Sequence, residues 1–248
     1  MIIIIFFISL WYLSLFTQTF FEHRYSAHAM FTMSKGWEKF FYVLTWLFQG
    51  SSFLSPYAYG ILHRMHHAYA DTDKDPHSPL FSKNLFDMMW KTKVIYSSIA
   101  DGSFPAEERF KRNLPYWGFM EKLADSWINR LAFVGLYTWI FYMYANHWYL
   151  WILLPFTIAM APVHGAVINW FAHKFGYTNI TLNDTSKNLL PVDFLMLGES
   201  YHNNHHKFGG RANFGIRWHE FDPIYPIIRL FNAFGIIKLK LNNDLNYM

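Results

Sequence analysis

The chain contains no cysteine. Disulfides, thiolate zinc sites, iron–sulfur clusters and cysteine nucleophiles are therefore all excluded. Charge is also scarce: Asp, Glu, Lys and Arg make up 15% of the 248 residues, against 53% hydrophobic and 21% aromatic. Such a balance suits a protein with a bilayer as part of its solvent. The net charge is only +4 and the basic residues are scattered, so nucleic acid is not an expected partner. No basic leader precedes the first apolar run and no small-residue cleavage pattern follows it, so the run is expected to be retained as a span. No internal repeat, low-complexity tract or linker is present, and residues 1–248 are expected to form one domain.

The uncharged runs set the expected topology. Residues 2–21 carry no charge, about the length that crosses a hydrocarbon core of roughly 30 Å. Arg24, Lys35 and Lys39 follow, which places the end of this run in the cytoplasm. From Leu131 to His173 there is again no Asp, Glu, Lys or Arg. That length predicts two spans, about 131–147 and 149–168, turning near Asn146-His147-Trp148, with Trp148, Tyr149 and Trp151 at the far interface. The uncharged stretch Phe40–Leu62 is interrupted by Gln49, Ser51, Ser52, Ser55 and Pro56, and is expected to be buried or re-entrant. The expected fold is an all-α integral membrane protein: about three transmembrane helices, a re-entrant or buried helix, and a cytoplasmic helical cap from about 22–130 and 174–248. That cap would hold a multi-histidine dimetal site.

The histidines carry the chemistry. They form three clusters: His23 with His28, His63 with His66 and His67, and His202 with His205 and His206. Neutral imidazole binds first-row metals. In the second and third clusters the spacing i, i+3, i+4 puts the rings on one helix face, and two such faces can close on two metal ions. His23 and His28, five apart, require a helix end or a distortion, or else point at different metals. Asp73, Asp75 and Glu199 stand close enough in sequence to orient the rings, or to serve as turn and cap residues. His77, His147 and His219 are expected not to be ligands, and His164 to be a neutral histidine hydrogen-bonded between helices. Zinc suits the pattern less well: no HExxH is present, since His219-Glu220 lacks the second histidine, and a structural zinc needs only four ligands.

At these residues the chain resembles membrane fatty acid desaturases of the stearoyl/acyl-CoA type, whose pattern is HxxxxH, HxxHH and HxxHH. The Asp73-Lys-Asp75-Pro-His77 stretch and Gly198-Glu199-Ser-Tyr-His202 resemble further family segments. The resemblance covers nearly the whole chain. It implies two iron ions, with dioxygen as co-substrate, held by His23, His28, His63, His66, His67, His173, His202, His205 and His206. It also implies that Asn169, four residues before His173, holds a metal-bound water. The implied activity is the conversion of a saturated acyl chain to a cis alkene. Two departures stand out. The family places a complete helical hairpin before the first box, where this chain has one span. Acyl-CoA members carry a basic residue two positions before the second box, where this chain has Ile61, so acyl-CoA and acyl-lipid substrates both stay open. No fused cytochrome b5-like domain is visible, which implies a separate electron donor such as ferredoxin or a cytochrome b5-like protein. A homo-oligomer is compatible with the sequence, and the expected place of the chain is a membrane (the inner membrane in a bacterium). A hydroxylase with the same metal site, a metal transporter and an inactive scaffold are the alternatives. The spans lack the carboxylates that transport favours, and every expected ligand position is filled.

Overall fold

The computed structural model describes residues 1–240; the last eight residues of the second polar part lie outside the described residues. The helix α1 (Ile2–Thr17) runs directly into a π-helical segment, Gln18–Ala27. Together they make a 26-residue helix long and apolar enough to cross a membrane. Isoleucine, leucine and phenylalanine surround α1 on every side, so it presents no polar face to water. Next, β1 (Phe31–Met33) pairs antiparallel with β2 (Ile237–Leu239), Phe31 opposite Leu239, and ties the end of the described chain to the end of the first helix.

The uncharged stretch after β1 is a broken helix pair. Ser34 caps α2 (Lys35–Gln49), which stops at Gly50, where φ is +51° and a 3₁₀ turn covers Gly50–Ser52. A Cβ at Gly50 would collide with the Tyr137 hydroxyl, so glycine is needed both for its backbone and for its size. The helix restarts as α3 (Pro56–Tyr69), with Ser55 as its cap and Pro56 in its first turn. α2 packs on α1, and α3 packs on the π segment. Helices α4 (Leu85–Ala100), α5 (Glu108–Lys111) and α6 (Gly118–Asp125) follow, then α7 (Trp127–Tyr144), α8 (Leu153–Ile158), α9 (Met160–Ala166), α10 (His202–Lys207) and α11 (Ile224–Ala233).

The apolar hairpin is less regular than the expected two spans joined by a tight turn. α7 begins before Leu131 and ends at Tyr144; it has the length, but Asn129, Arg130 and its tyrosines and tryptophans lower its apolar average. The run expected to cross as 149–168 is interrupted. A 3₁₀ turn over Trp148–Ile152 leads into α8, and the helices on either side of Ala159 are bent by 80°. Among the described residues one helix, or two if the bent pair is a single span, meets the test of length and apolarity.

Proline explains the break. Pro162 has no N–H, so the carbonyl of Ile158, four residues earlier, lacks its helical donor. The Ser51 hydroxyl donates to that carbonyl at 2.8 Å, and the Ser52 hydroxyl accepts from the Ala161 N–H at 3.1 Å. Arg130 in turn donates to the carbonyls of Ser51 and Phe53, at 2.7 and 3.0 Å. The two interruptions thus satisfy each other, as irregular backbone away from water must. Behind the π segment lies an aromatic core of Phe20, Phe21, Phe31, Phe41, Tyr42, Phe53, Tyr201 and Phe214. Replacing Ser51 by alanine should leave the Ile158 carbonyl without a donor and cost about 1–3 kcal/mol, read as a lower thermal midpoint of the purified protein in detergent. An unchanged midpoint would show that the break is not held by this bond.

Candidate metal centre

The structure brings all nine histidines of the expected set together, in two groups. His23, His28, His63, His67 and His205 form one; His66, His173, His202 and His206 form the other. Within each group the ligand atoms lie within 4.8 Å of one another. Each HxxHH helix divides its rings: the i and i+4 positions of α3 face the first group and the i+3 position the second, whereas α10 sends His205 to the first and His202 and His206 to the second. The boxes of the π segment, α3 and α10 therefore converge on one place.

The distortion needed at His23 and His28 is the π segment. There the His28 N–H bonds to the His23 carbonyl five residues back, at 3.1 Å, so residues five apart lie one above the other. Both rings join the same group. His173 follows a second π turn, Val167–Phe171, which also carries Asn169.

Every ring meets its group through Nε2. His23 to His205, His63 to His28, His67 to His63 and His67 to His205 are 2.9, 2.8, 3.0 and 2.9 Å apart. In the second group His66 to His206 and His173 to His202 are 3.1 and 3.0 Å apart. Three outer nitrogens are held by carboxylates: His23 Nδ1 by Glu199 at 2.6 Å, His66 Nδ1 by Asp75 at 2.9 Å, and His206 Nδ1 by Asp184 at 3.0 Å. His173 Nδ1 lies 3.2 Å from Thr185 Oγ1 and 3.8 Å from Asp71. A proton on Nδ1 leaves a lone pair on Nε2.

Burial, and next the neighbouring rings, hold His28, His63, His67, His202, His205 and His206 well below the ordinary imidazole range and His66 at about 3. These seven rings are therefore neutral at pH 7. Lone pairs converging at these separations repel one another unless a cation lies between them. Right-angle ligands around a metal with bonds of about 2.1 Å would stand about 3.0 Å apart, which is the spacing seen. The donor set fits two metal ions.

Glu199 and Asp75 orient rings, as their positions near the boxes allowed. Asp73 is exposed and takes no part; Asp71, two residues earlier, accepts from the Thr185 N–H and hydroxyl at 2.6 and 2.7 Å and stands behind His173 instead. Asp184 and Thr185 were not foreseen, and no spacing marks them, since they lie in a loop 22 residues before His206 and 12 after His173. His147 and His219 lie outside both groups. His77 is buried with both ring nitrogens unpartnered and its ring 4.2 Å from that of His66. It forms a third possible group only with His66 and Asp75, whose facing atoms already bond each other. His164 Nδ1 meets Gln18 Oε1 at 3.1 Å, between two helices as expected. A cavity of about 60 Å³ touches rings of both groups together with Asn169, His77 and His164, and is closed by Leu15, Leu62, Ile168 and Met196.

Two outcomes test this reading. Glu199→Gln should weaken metal binding 10–100-fold by releasing the His23 ring, as measured by metal content after dialysis against a graded chelator. Depressed imidazole pKa values mean that below about 6.5 the unfolded chain binds more protons than the folded one, so stability rises with pH there. The metal-stripped protein should lose stability as pH falls from 7.5 to 5.5, by up to about 1.4 kcal/mol per ring per pH unit, as followed by thermal unfolding. A flat profile would mean the rings are not buried neutral.

The fatty acid desaturase family model matches residues 1–235. The Delta-9 desaturase-like 2 protein of Arabidopsis thaliana is 32% identical over 235 residues, covering 91% of this chain and 73% of that protein. Delta-9 acyl-lipid desaturase 1 of the same plant is 29% identical over 215 residues, covering 86% and 67%. The sn-1 stearoyl-lipid 9-desaturase of Anabaena variabilis is 29% identical over 220 residues, covering 86% and 74%. With the histidine boxes gathered and the family pattern spanning nearly all of it, this chain belongs to the fatty acid desaturase family and is an oxidoreductase of lipid metabolism.

Proposed function

We propose that the chain introduces a cis double bond into the saturated acyl chain of a membrane lipid, at a di-iron centre, with dioxygen as co-substrate and electrons from a separate protein donor. The observation that carries this reading is the division of nine imidazoles into two adjacent groups, all meeting through Nε2. Two irons so placed would supply the oxidising power to break an unactivated C–H bond when reduced and exposed to dioxygen. His23, His28, His63, His67 and His205 would hold one, and His66, His173, His202 and His206 the other, with Asn169 reaching the second through a water. The protein's own part is positioning and dryness. Glu199, Asp75 and Asp184 fix the rings, and Leu15, Leu62, Ile168 and Met196 present an apolar wall where the reacting methylenes would lie.

An acyl-lipid substrate is favoured over an acyl-CoA. Ile61 is buried against Ala58, Leu62 and Met65 in α3, so the position offers nothing to a charged head group. Two of the similar proteins are named for acyl-lipid or stearoyl-lipid substrates, and the three above are named for position 9, which is the position we propose. The first helix and the α7–α9 hairpin would embed the protein in the membrane, with the histidines on the cytoplasmic side. The basic residues that follow the first helix and flank the hairpin, Lys35, Arg130 and Lys174, support that orientation.

Expression in a host lacking its own desaturase should yield a cis-monounsaturated fatty acid in the lipid fraction, aerobically and not anaerobically. An alcohol without an alkene would mean hydroxylation and overturn the proposal. His66→Ala and His205→Ala should each reduce product at least about 100-fold while the protein still inserts. Retained activity in both would reject the ligand assignment.

A further inference from the structure

The helix α4 carries two apolar faces, and only one of them is used. Met88 and Ile99 are buried, Ile95 and Tyr96 pack on the apolar side of α3, and the Thr92 hydroxyl donates to the Pro76 carbonyl at 3.2 Å. On the other side Phe86, Trp90 and Val94 recur every four residues and are 83%, 63% and 49% exposed. Leu80 and Phe81, just before the helix, are exposed as well. A run of large apolar side chains in contact with water is costly, and its continuity along one helix face marks a surface made to be covered.

Two observations identify what covers it. The stripe is edged with lysines: Lys83, Lys91 and Lys93, with the Lys93 ammonium 4.7 Å from the Trp90 ring centroid and Lys91 paired to Asp87 at 2.8 Å. Aromatic and aliphatic side chains on one face, with ammonium groups along its border, match the acyl boundary and the phosphates of a bilayer surface. The position agrees. α4 touches α9, one half of the bent apolar pair, so lipid lies within reach of its open face.

We propose that α4 lies in the plane of the membrane surface, with Phe86, Trp90 and Val94 among the acyl chains and the lysines on anionic head groups. Its last residues, Ile99 and Ala100, form one wall of a cleft of about 720 Å³, whose other walls include Ser55 and Tyr57 at the start of α3 and Tyr116 before α6. His63 stands two helical turns further along α3. With α4 seated in the surface, this cleft opens at head-group level and a lipid can approach sideways from its own leaflet. That last consequence rests on the proposed reaction; the seating of α4 does not.

The absence of cysteine makes the test direct. Phe86→Cys and Val94→Cys are each labelled with an environment-sensitive fluorophore in the full-length protein and reconstituted into nanodiscs. Both labels should emit to the blue, be quenched at least about twofold by brominated lipid, and be shielded from aqueous iodide. Quenching by iodide and not by brominated lipid would overturn the proposal, and so would protection from both, which would mean a second copy or another protein covers the face. Lys83→Gln with Lys93→Gln should lower the brominated-lipid quenching in discs containing phosphatidylglycerol to the level seen in neutral phosphatidylcholine discs. Equal quenching with and without the lysines in anionic discs would overturn the electrostatic part. Desaturation is not measured, so failure here leaves the reading of the metal centre standing, and failure of that reading leaves α4 where it is.

Discussion

Nine imidazole Nε2 atoms turned inward on one another are an arrangement that the protein must hold together against itself. Each carboxylate behind a ring fixes the proton on the outer nitrogen and so sharpens the repulsion at the inner one. Cations would turn that repulsion into coordination, and the scaffold holds the rings where they can do so. Arg24 is fully buried; it donates to Glu199 at 2.9 Å and to Asp222 at 2.8 Å, and its guanidinium lies 3.8 Å from the Phe214 ring centroid. Glu199 is the same carboxylate that holds His23, and Asp222 accepts from the backbone N–H groups of Phe214 and Ile224. One buried ion cluster therefore ties the first histidine box to the loop and helix that follow the last one. Removing one member of such a cluster typically costs about 3–5 kcal/mol, because the remaining charge stays buried without a partner.

Regular helix is abandoned where apolar helices meet the histidines. The π segment at Gln18–Ala27 brings His23 and His28 into vertical register, and the π turn at Val167–Phe171 sits between the bent apolar pair and His173. An ordinary α-helix would turn His28 about 140° away from His23. The strain of the wider turn is offset by packing on both sides: α3 lies along the π segment, and the phenylalanine core lies behind it. The same economy of backbone bonds governs the Ser51–Ile158 and Ser52–Ala161 contacts, where two interrupted segments exchange the donors and acceptors that each has lost.

Much of the centre was legible from spacing alone, because i, i+3 and i+4 on a helix state a geometric fact whatever surrounds it. Spacing does not say how two such faces close on each other. His66 leaves His63 and His67 and joins His202, His206 and His173, a division set by the relative rotation of α3 and α10 and by no local rule. Asp184 and Asp71 were illegible for a related reason: each reaches its histidine from a loop, and loop conformation has no period to read. The broken hairpin was missed differently. A charge-free run reports that a segment is apolar, not that it is straight, and Pro155 and Pro162 were the available sign that it is not.

This division of labour bears on selectivity. The rings of His23, His66 and His206 are fixed by carboxylates, the first of them backed by a buried arginine, so they have little freedom to move. The cavity beside them is walled by Leu15 from the first helix, Leu62 from α3, Ile168 from the second π turn and Met196 from the loop before the last box. Four separate parts of the chain thus set its depth, and each wall residue sits on an element that also carries, or leads into, a histidine of the centre. In the proposed reaction, which methylene is oxidised depends on how far an acyl chain penetrates before it meets that wall. A change in wall volume would shift the chain relative to both metal groups at once, whereas a change in a ring would only remove oxidising power. In that reaction regiochemistry would be a property of the apolar packing, and reactivity a property of the imidazoles.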